Sequence, residues 1–457
     1  MRCGFFEKDI TPPLGTTIFG YFTKRVNEGV KSKLYAKAAV IDDGENTVAF
    51  LAIDSMCMPT DLPDFVRARV KKYTQIKEEN ILIAVTHSHT SGPCVKNLGQ
   101  FKGVQILKEE PELSEELDLK VMEMTVLAAA DAVILAYKQM EEVNVKFAIK
   151  KVEKLGRVRQ YYMKDGTVRT NPGYCRDEIV KPYSEPDEEM PVFFFTDKND
   201  KPLGLITSLA LHHDTVSGSE VCADYSGEVA KYMKKTYGEE FISVFFSGFC
   251  GNINNADFSR PADVRPGDNW MIVGEIVAKA LDEAVKKAEP VTGNQVAVKM
   301  DTVKIKKREL PEGFIEKTKE ARKLAPKEGP MTIADPYGMR MMYASSTMVL
   351  SYYDEDKNTE FDVPVQVIRI GDCLIYAFVG EVFSQFGDML REASPTEKNM
   401  MVEMAHSDKH TGYIPIREMF DLPYVYEASY YSARLEKDAG HKLCDRAKEL
   451  AREIFQE

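Results

Sequence analysis

The predicted fold depends most on one stretch, residues 80–93, which reads Asn80-Ile81-Leu82-Ile83-Ala84-Val85-Thr86-His87-Ser88-His89-Thr90-Ser91-Gly92-Pro93. Its first half is an apolar, β-branched run that predicts a buried strand. Side chains two apart on a strand share a face, so His87 and His89 are predicted to project together if extended geometry continues. Open α/β sheets bind ligands at the carboxyl ends of their strands. We interpret the pair as a candidate metal-binding His-x-His, with two hydrogen-bonded structural histidines as the alternative.

The segments before this stretch predict a layered α/β protein. A hairpin is predicted over residues 34–41 and 47–53, and a helix over residues 61–73 then leads into the His-x-His strand. Strand, helix and strand in succession indicate a crossover connection within one sheet. The predicted fold class is therefore α/β, a layered α/β/α sandwich with a mixed sheet and a metal site at the carboxyl ends of its strands.

Two more predicted hairpins end in chemically active side chains. Residues 192–196 and 203–211 precede His212 and His213, and residues 363–370 and 373–379 precede Glu381. The chain shows neither an internal repeat nor a linker-like tract. It is predicted to be a single domain over residues 1–457, with a possible lid or insertion at about 306–360.

Composition excludes several classes of function. The 457 residues carry a net charge of −12, which argues against a nucleic-acid partner. The sequence predicts neither a transmembrane segment nor a signal peptide, because its apolar runs are too short and its N-terminus lacks the required apolar region. The eight cysteines are scattered without a Cys-x-x-Cys motif. This spacing predicts reduced, mostly buried thiols and a cytoplasmic location.

The distribution of histidines gives the strongest signal for chemistry. Six of the seven form three pairs after apolar, strand-like runs: His87 and His89, His212 and His213, and His406 and His410. Catalytic zinc takes about three protein ligands of nitrogen, oxygen or sulfur and keeps one position open. Separate strand ends that each supply one ligand, together with a carboxylate such as Glu381, would meet this need.

The same positions carry a resemblance to a known family. The matching motifs follow one another in the family's order: DITPPLG (9–15), Gly20-Tyr21, THSHTSGP (86–93), HDTV (213–216), ADYSG (223–227), SGFCGNIN (247–254), VGEVF (379–383), GYIPIREMF (412–420) and VYEAS (425–429). In this order and over nearly the whole chain, the sequence resembles the catalytic N-terminal domain of the neutral, non-lysosomal ceramidases, which are zinc amide hydrolases. It departs from the family by one extra residue after His89 and by Val379 in place of a proline.

The resemblance implies a set of metal ligands. Carried over position by position, it implies a zinc ion held by His87, His213, Glu381 and Tyr413. His212 is then a hydrogen-bonding neighbour, although the adjacent His213 and His212 can exchange these roles. From the residues alone, Glu381 can equally be a helix cap or a salt-bridged acid, and Tyr413 a buried aromatic side chain beside a turn.

The resemblance also implies catalytic residues around the scissile group. A zinc-activated water attacks the amide carbonyl, Tyr426 and Arg159 stabilise the oxyanion, and His89 protonates the leaving amine. Asp54 and Asp224 are predicted to orient the ligand histidines. The sequence assigns no role to His406 and His410 or to the segment around residues 325–356.

The predicted function is a zinc-dependent hydrolase that cleaves an N-acyl amide bond in a small-molecule or lipid-like substrate. Secreted ceramidases carry a signal peptide and a C-terminal immunoglobulin-like domain, and this chain is predicted to have neither. Ceramide and a smaller polar amide or ester therefore both remain open as substrates. Two alternatives also stay open at this point: a different metallohydrolase, such as a dinuclear amidohydrolase-like enzyme or an esterase, and a non-catalytic binding protein on the same scaffold. The oligomeric state is not predicted.

Overall fold

The computed structural model of the protein describes residues 1–22, 25–58, 62–94, 114–261, 269–324, 333–355, 357–405 and 411–456. Its longer strands are β1 Arg2–Asp9, β2 Tyr35–Asp42, β3 Thr47–Ile53, β4 Ile81–Val85, β5 Glu141–Lys151, β6 Gln160–Met163, β7 Val168–Thr170, β8 Ile179–Pro182, β9 Glu189–Asp197, β10 Pro202–Leu209, β11 Ile242–Ser247, β12 Val296–Lys306, β13 Glu360–Ile370, β14 Cys373–Val379 and β15 Asn399–Met404. Its helices are α1 Leu62–Tyr73, α2 Ser114–Lys138, α3 Asp224–Tyr237, α4 Trp270–Lys287, α5 Phe314–Leu324, α6 Met339–Val349, α7 Gln385–Ala393 and α8 Ala439–Gln456.

Two mixed sheets form the centre of the molecule. The larger sheet runs in the order β11-β10-β9-β5-β1-β2-β3-β4, and the smaller one in the order β12-β13-β14-β15. Most neighbouring strands are antiparallel. Within these two sheets three pairs are parallel, namely β3 with β4, β10 with β11, and β14 with β15. Each parallel pair includes a strand that a candidate site residue follows.

The two sheets pack face to face and helices cover their outer faces. Phe50 and Phe246 of the larger sheet share one buried cluster with Ile375 and Val402 of the smaller sheet. Side chains on the opposite face of the larger sheet pack against α1 and α2 at one end and against α3 and α4 at the other. Helices α7 and α8 cover the outer face of the smaller sheet. The predicted layered α/β fold with a mixed sheet is confirmed, and its β layer consists of two sheets.

Burial on both faces explains why these strands are continuous apolar runs. On β2, Ala38 and Val40 point towards the helices, whereas Ala39 and Ile41 point towards the smaller sheet. All four side chains are fully buried. Successive side chains do alternate between the two faces of the sheet, but the sequence does not alternate between apolar and polar residues, because both faces are buried.

The C-terminal segment differs from its predicted secondary structure. The amphipathic pattern of the last segment predicts a helix over residues 433–454, whereas the helix begins at Ala439. The intervening residues extend the smaller sheet instead, because Leu435 bridges to Lys307 and the Glu436 amide donates to the Lys306 carbonyl at 3.0 Å. Tertiary hydrogen bonds override local helical preference there.

The prediction that the cysteines are reduced is wrong for one pair. Cys57 and Cys94 form a disulfide with a Cα–Cα separation of 6.1 Å. Each cysteine lies in the loop that follows one strand of the parallel pair β3 and β4, so the sheet brings together residues that are 37 apart in sequence. The other six cysteines are free thiols, and all except Cys175 are buried.

The predicted lid region contains α5 and α6. Phe314, Met341 and Val349 of these helices pack with Tyr431 in a small buried cluster to which Tyr426 also contributes. The assignment of one domain with a lid at about 306–360 stays a proposal. No helix within the described ranges has both the length and the apolar character needed to span a lipid bilayer.

Candidate metal centre and active site

Three strand ends converge on the candidate site. His87 and His89 follow β4, His212 follows β10, and Glu381 follows β14. Each of these strands has a parallel neighbour, so the chain leaves each pair at its carboxyl end. The topology thus brings together side chains that are almost 300 residues apart in sequence, as open α/β sheets do at their ligand sites.

The turn that carries the two histidines differs from the predicted geometry. Strand β4 ends at Val85, and His87 has a backbone φ of +61°, in the left-handed region that non-glycine residues rarely adopt. Hydrogen bonds from the Thr86 amide to the Ile53 carbonyl and from the Ser88 amide to the Ser55 carbonyl hold this turn against the end of β3. The rings of His87 and His89 still approach to 5.1 Å, so the pair converges for a different reason than strand alternation.

The side chains that meet at this point leave four polar atoms without partners. The Glu381 Oε2 atom lies 3.4 Å from His87 Nε2 and 3.3 Å from His212 Nε2. One ring nitrogen each of His87, His89 and His212 lies within 4.8 Å of the other two. Within the described part of the chain, none of these three Nε2 atoms or Glu381 Oε2 makes a hydrogen bond of good geometry, although all are buried.

Backbone carbonyls set the orientation of two of these rings. His89 Nδ1 lies 2.8 Å from the Gly20 carbonyl oxygen, and His212 Nδ1 lies 2.9 Å from that of Cys250. A carbonyl oxygen only accepts, so each Nδ1 carries the proton and donates it. Each Nε2 therefore directs a lone pair at the cluster, as a metal ligand must.

Asp54 and Asp224, which were predicted to orient the ligand histidines, contact other groups. Asp54 is paired with the buried Lys37, whose Nζ atom lies 3.2 Å from its Oδ2. Asp224 accepts hydrogen bonds from the amides of Thr215 at 3.0 Å and Tyr225 at 2.7 Å. The prediction that these carboxylates orient the histidines is wrong for His89 and His212, because backbone carbonyls accept from the Nδ1 atoms of both rings.

Of the adjacent His212 and His213, the first reaches the cluster. The ring of His213 stacks on Tyr225 with centroids 4.1 Å apart, and its Nδ1 lies 3.5 Å from Ser247 Oγ. The structure brings His212 to Glu381 and turns His213 towards the interior beside α3.

The remaining predicted residues lie on the other side of Glu381. Residues Glu381–Val382 pair in parallel with Tyr413–Ile414, in a register that sets Tyr413 beside Glu381. Arg159 NH1 donates to the Tyr413 hydroxyl at 3.1 Å, and the rings of Tyr413 and Tyr426 are 5.8 Å apart. The structure thus brings together His87, His89, Arg159, Glu381, Tyr413 and Tyr426. His406 and His410 lie outside the described residues.

Comparison with known proteins places this arrangement in a family. The family model described as neutral/alkaline non-lysosomal ceramidase, N-terminal, matches residues 2–261, more than half of the chain. The chain belongs to this family. The predicted resemblance is thereby confirmed, and the protein is a ceramidase-like hydrolase.

Solved structures share the fold of this ceramidase-family chain. A crystal structure of neutral ceramidase from Pseudomonas aeruginosa matches with a TM-score of 0.72 at 16% identity, over 98% of this chain and 74% of that one. A structure of a ceramidase complexed with C2 matches with a TM-score of 0.70 at 15% identity, over 100% of this chain and 75% of that one. At these identities the likeness establishes the fold. Among curated protein sequences, no match was found.

The electrostatics of the ceramidase-family site favour a bound cation. Burial opposes ionisation of Glu381, but His87 and His212 outweigh it and hold the pKa of the carboxyl well below its usual range. Burial also opposes protonation of His87, yet the Glu381 carboxylate raises the pKa of its imidazole. The cluster thus favours a positive charge, and either a proton or a metal ion can supply it.

The pKa values of His89 and Tyr426 keep both side chains uncharged at neutral pH. Burial lowers the pKa of His89 to about 4, against the opposing field of Asp214, so this imidazole is neutral at neutral pH. Burial raises the pKa of Tyr426 to about 12, so its hydroxyl keeps its proton. A neutral imidazole can accept a proton, and a protonated phenol can donate a hydrogen bond.

Sequence inspection missed two buried acids behind the site, Glu403 and Glu427. Glu403 lies on β15, where one oxygen accepts hydrogen bonds from the amides of Cys250 at 3.0 Å and Val382 at 2.8 Å. It therefore fixes the backbone on both sides of the site. A single acid within the apolar run of residues 399–404 was the available signal, since buried strands rarely carry an unpaired charge.

Glu403 gives the metal-free protein a predictable pH dependence. Burial raises the pKa of Glu403 to about 8 from an ordinary value of 4.5, so between these values the folded chain holds a proton that the unfolded chain has lost. Its contribution to stability is complete below pH 4.5 and is lost as the pH rises to about 8. We expect Glu403→Gln, which stays neutral and keeps an acceptor oxygen, to weaken this dependence.

The measurement is the free energy of unfolding in urea, for wild type and variant without metal, at about pH 5 and about pH 8. The wild type should lose more stability between the two pH values than Glu403→Gln does. An equal loss in both proteins would show that Glu403 is ionised throughout in the folded chain.

Proposed function

We propose that this ceramidase-like hydrolase is zinc dependent and cleaves an N-acyl amide bond. The observation that carries the proposal is a group of four buried atoms that face one another, Nε2 of His87, His89 and His212 and Oε2 of Glu381. None of them has a hydrogen-bond partner in the part of the chain that the structure describes. Buried polar atoms without partners are costly, and several of them directed at one point are best explained by a cation.

We propose His87, His212, Glu381 and Tyr413 as the ligands. This set keeps three of the four residues that the resemblance implies and substitutes His212 for His213, because the His212 Nε2 is the one beside Glu381. Nitrogen and oxygen donors of this kind suit zinc. When bound, zinc supplies a Lewis acid that polarises an amide carbonyl and makes water a stronger acid.

The other residues would handle charge and protons. Arg159 and the protonated Tyr426 provide hydrogen-bond donors for the oxyanion that develops on the carbonyl oxygen. His89 is neutral, with Nδ1 committed to the Gly20 carbonyl and Nε2 free. Its Nε2 would accept a proton from the attacking water and pass it to the leaving amine, which couples general base and general acid roles.

Membership of the ceramidase family supports an N-acyl, lipid-like substrate, and a buried apolar cluster packs beside Tyr426. The rings of Phe22 and Tyr431 lie 6.4 Å and 5.8 Å from that of Tyr426. Phe314 and Met341 of the predicted lid extend the same cluster. The alternative of a dinuclear amidohydrolase-like enzyme requires a β/α barrel. The two packed sheets of this chain are not such a barrel.

The test is hydrolysis of a series of N-acyl amides, from acetyl to palmitoyl, alongside the matching esters. We expect release of free amine and carboxylic acid by the zinc-loaded wild type, and loss of this activity in Glu381→Gln with the fold unchanged by circular dichroism. Equal amide turnover by both proteins would contradict the site assignment. Turnover of esters alone would replace the proposed amidase with an esterase.

A further inference from the structure

Glu427 is a fully buried acid next to a proposed catalytic residue. It follows Tyr426 in a short 3-10 turn, Tyr426–Ala428, and its side chain has no solvent exposure. Burial of an isolated carboxylate costs several kcal/mol, so a buried acid is kept ionised only by close partners. The two oxygens of Glu427 have different partners, and each partner leads to the proposed active site.

The first oxygen faces Arg159. Glu427 Oε1 lies 3.2 Å from Arg159 Nε, and the arginine side chain is only 9% exposed. The NH1 atom of the same guanidinium donates to the Tyr413 hydroxyl at 3.1 Å. The contact is an ion pair without the geometry of a hydrogen bond. The Glu427 carboxylate therefore attracts the whole guanidinium group, and because that group is planar and rigid, its position also sets where NH1 points.

The second oxygen controls the position of Tyr426. Thr170 Oγ1 donates to Glu427 Oε2 at 2.5 Å and accepts a hydrogen bond from the Tyr426 amide at 3.1 Å. Thr170 itself is held because its own amide donates to the Tyr424 carbonyl at 3.1 Å. One carboxylate therefore ties together the turn that carries Tyr426 and the arginine that contacts Tyr413.

We propose that Glu427 is a positioning residue of the active site, which acts through Arg159. The inference rests on the proposed function, in which Arg159 stabilises the oxyanion. An arginine without its buried counterion can still fit the site, but its guanidinium is no longer held towards Tyr413. The loss therefore falls on the transition state, and kcat should change more than KM.

The variant Glu427→Gln tests this, because it keeps the shape and an acceptor for Thr170 while removing the charge. We expect kcat for N-acyl amide hydrolysis to fall about ten- to a hundredfold with KM within about twofold. In a double-mutant cycle, Glu427→Gln should add little to the loss caused by Arg159→Met. Zinc content should stay at the wild-type level.

The chain offers a matched control in a second arginine pair, in which the acid is buried and the arginine is partly exposed. Asp187 is 5% exposed and pairs with Arg391 NH2 at 2.5 Å, and its described contacts include none of the proposed site residues. Asp187→Asn should leave kcat unchanged even if it lowers the melting temperature. If Glu427→Gln does not fold, Thr170→Val gives the same test through the second oxygen, with Thr170→Ser as the variant that retains the hydroxyl and the activity.

Nuclear magnetic resonance of protein labelled with 15N-arginine gives a readout that needs no substrate. The Arg159 Nε–H resonance, assigned by its loss in Arg159→Met, should differ from those of exposed arginines in wild type, because this guanidinium is buried beside a carboxylate. It should move towards the resonances of exposed arginines in Glu427→Gln. An unmoved resonance, or kcat losses that add fully in the double variant, would overturn the positioning role. Absence of amide hydrolysis by wild type would instead refute the proposed function while the resonance still tests the contact.

Discussion

Replacing His212 by alanine is expected to abolish zinc binding, whereas replacing His213 by alanine is expected to leave it nearly intact. His212 Nε2 lies 3.3 Å from Glu381 Oε2 and has no hydrogen-bond partner among the described residues, while its Nδ1 is held by the Cys250 carbonyl. Loss of one of four ligands lowers the affinity by several orders of magnitude, because each metal–ligand bond carries a large share of the binding energy. His213 faces Tyr225 and Ser247 instead.

Elemental analysis of both variants after dialysis against a weak chelator measures this difference, with the melting temperature as a control for folding. The two residues are adjacent and both fully or almost fully buried, so a general effect of losing a buried imidazole would appear in both variants. Zinc lost from His213→Ala but kept in His212→Ala would restore the assignment that the sequence resemblance implies.

Replacing Tyr426 by phenylalanine is expected to reduce kcat for amide hydrolysis by about a hundred- to a thousandfold, with a small change in KM. Burial raises the pKa of this tyrosine to about 12, so its hydroxyl keeps its proton at neutral pH and can act as a donor. Removal of one donor to a developing oxyanion costs about 3–4 kcal/mol of transition-state stabilisation. Substrate binding is less affected because the ground-state carbonyl carries little charge.

Steady-state kinetics of Tyr426→Phe and Tyr431→Phe separate this role from simple packing. The Tyr431 ring lies 5.8 Å from that of Tyr426, but its hydroxyl donates to the Pro336 carbonyl. Tyr431→Phe should therefore keep kcat within about threefold of wild type. A similar small effect of Tyr426→Phe would remove this residue from the catalytic set.

The sequence predicts best those features that depend on local pattern. Apolar runs of five to eight residues located β4, β10 and β14, and the polar residues that follow them proved to share one site. Fold class and family followed from the order of these segments and their motifs. His87 and His89 lie side by side after β4, although a left-handed turn and not strand alternation brings them together.

Two kinds of feature could not be predicted from the sequence: which of two adjacent side chains points into the site, and which distant segments are in contact. The choice between His212 and His213 depends on the backbone conformation after β10, because this sets which of the two side chains faces Glu381. No local sequence pattern indicates it. The Cys57–Cys94 disulfide depends on two loops being neighbours in space. It also removes one reason for the predicted cytoplasmic location, which stays a prediction, as does the absence of a nucleic-acid partner.

Glu427 illustrates a further limit of sequence inspection. Its partners Arg159 and Thr170 lie more than 250 residues earlier in the chain, so nothing near Glu427 indicates an ion pair. Its position directly after Tyr426 in the VYEAS motif was visible, but a motif does not say what a side chain contacts. Such residues emerge only from the packed structure.

Metal reconstitution coupled to turnover tests the central claim most directly. Wild-type protein is stripped with a strong chelator, and zinc is added back in steps while bound metal and N-acyl amide hydrolysis are measured in parallel. We expect no turnover in the stripped protein and activity that rises linearly and levels off at about one zinc per chain. Full turnover without metal, or one bound zinc without turnover of any amide, would contradict the proposal of a zinc-dependent N-acyl amide hydrolase.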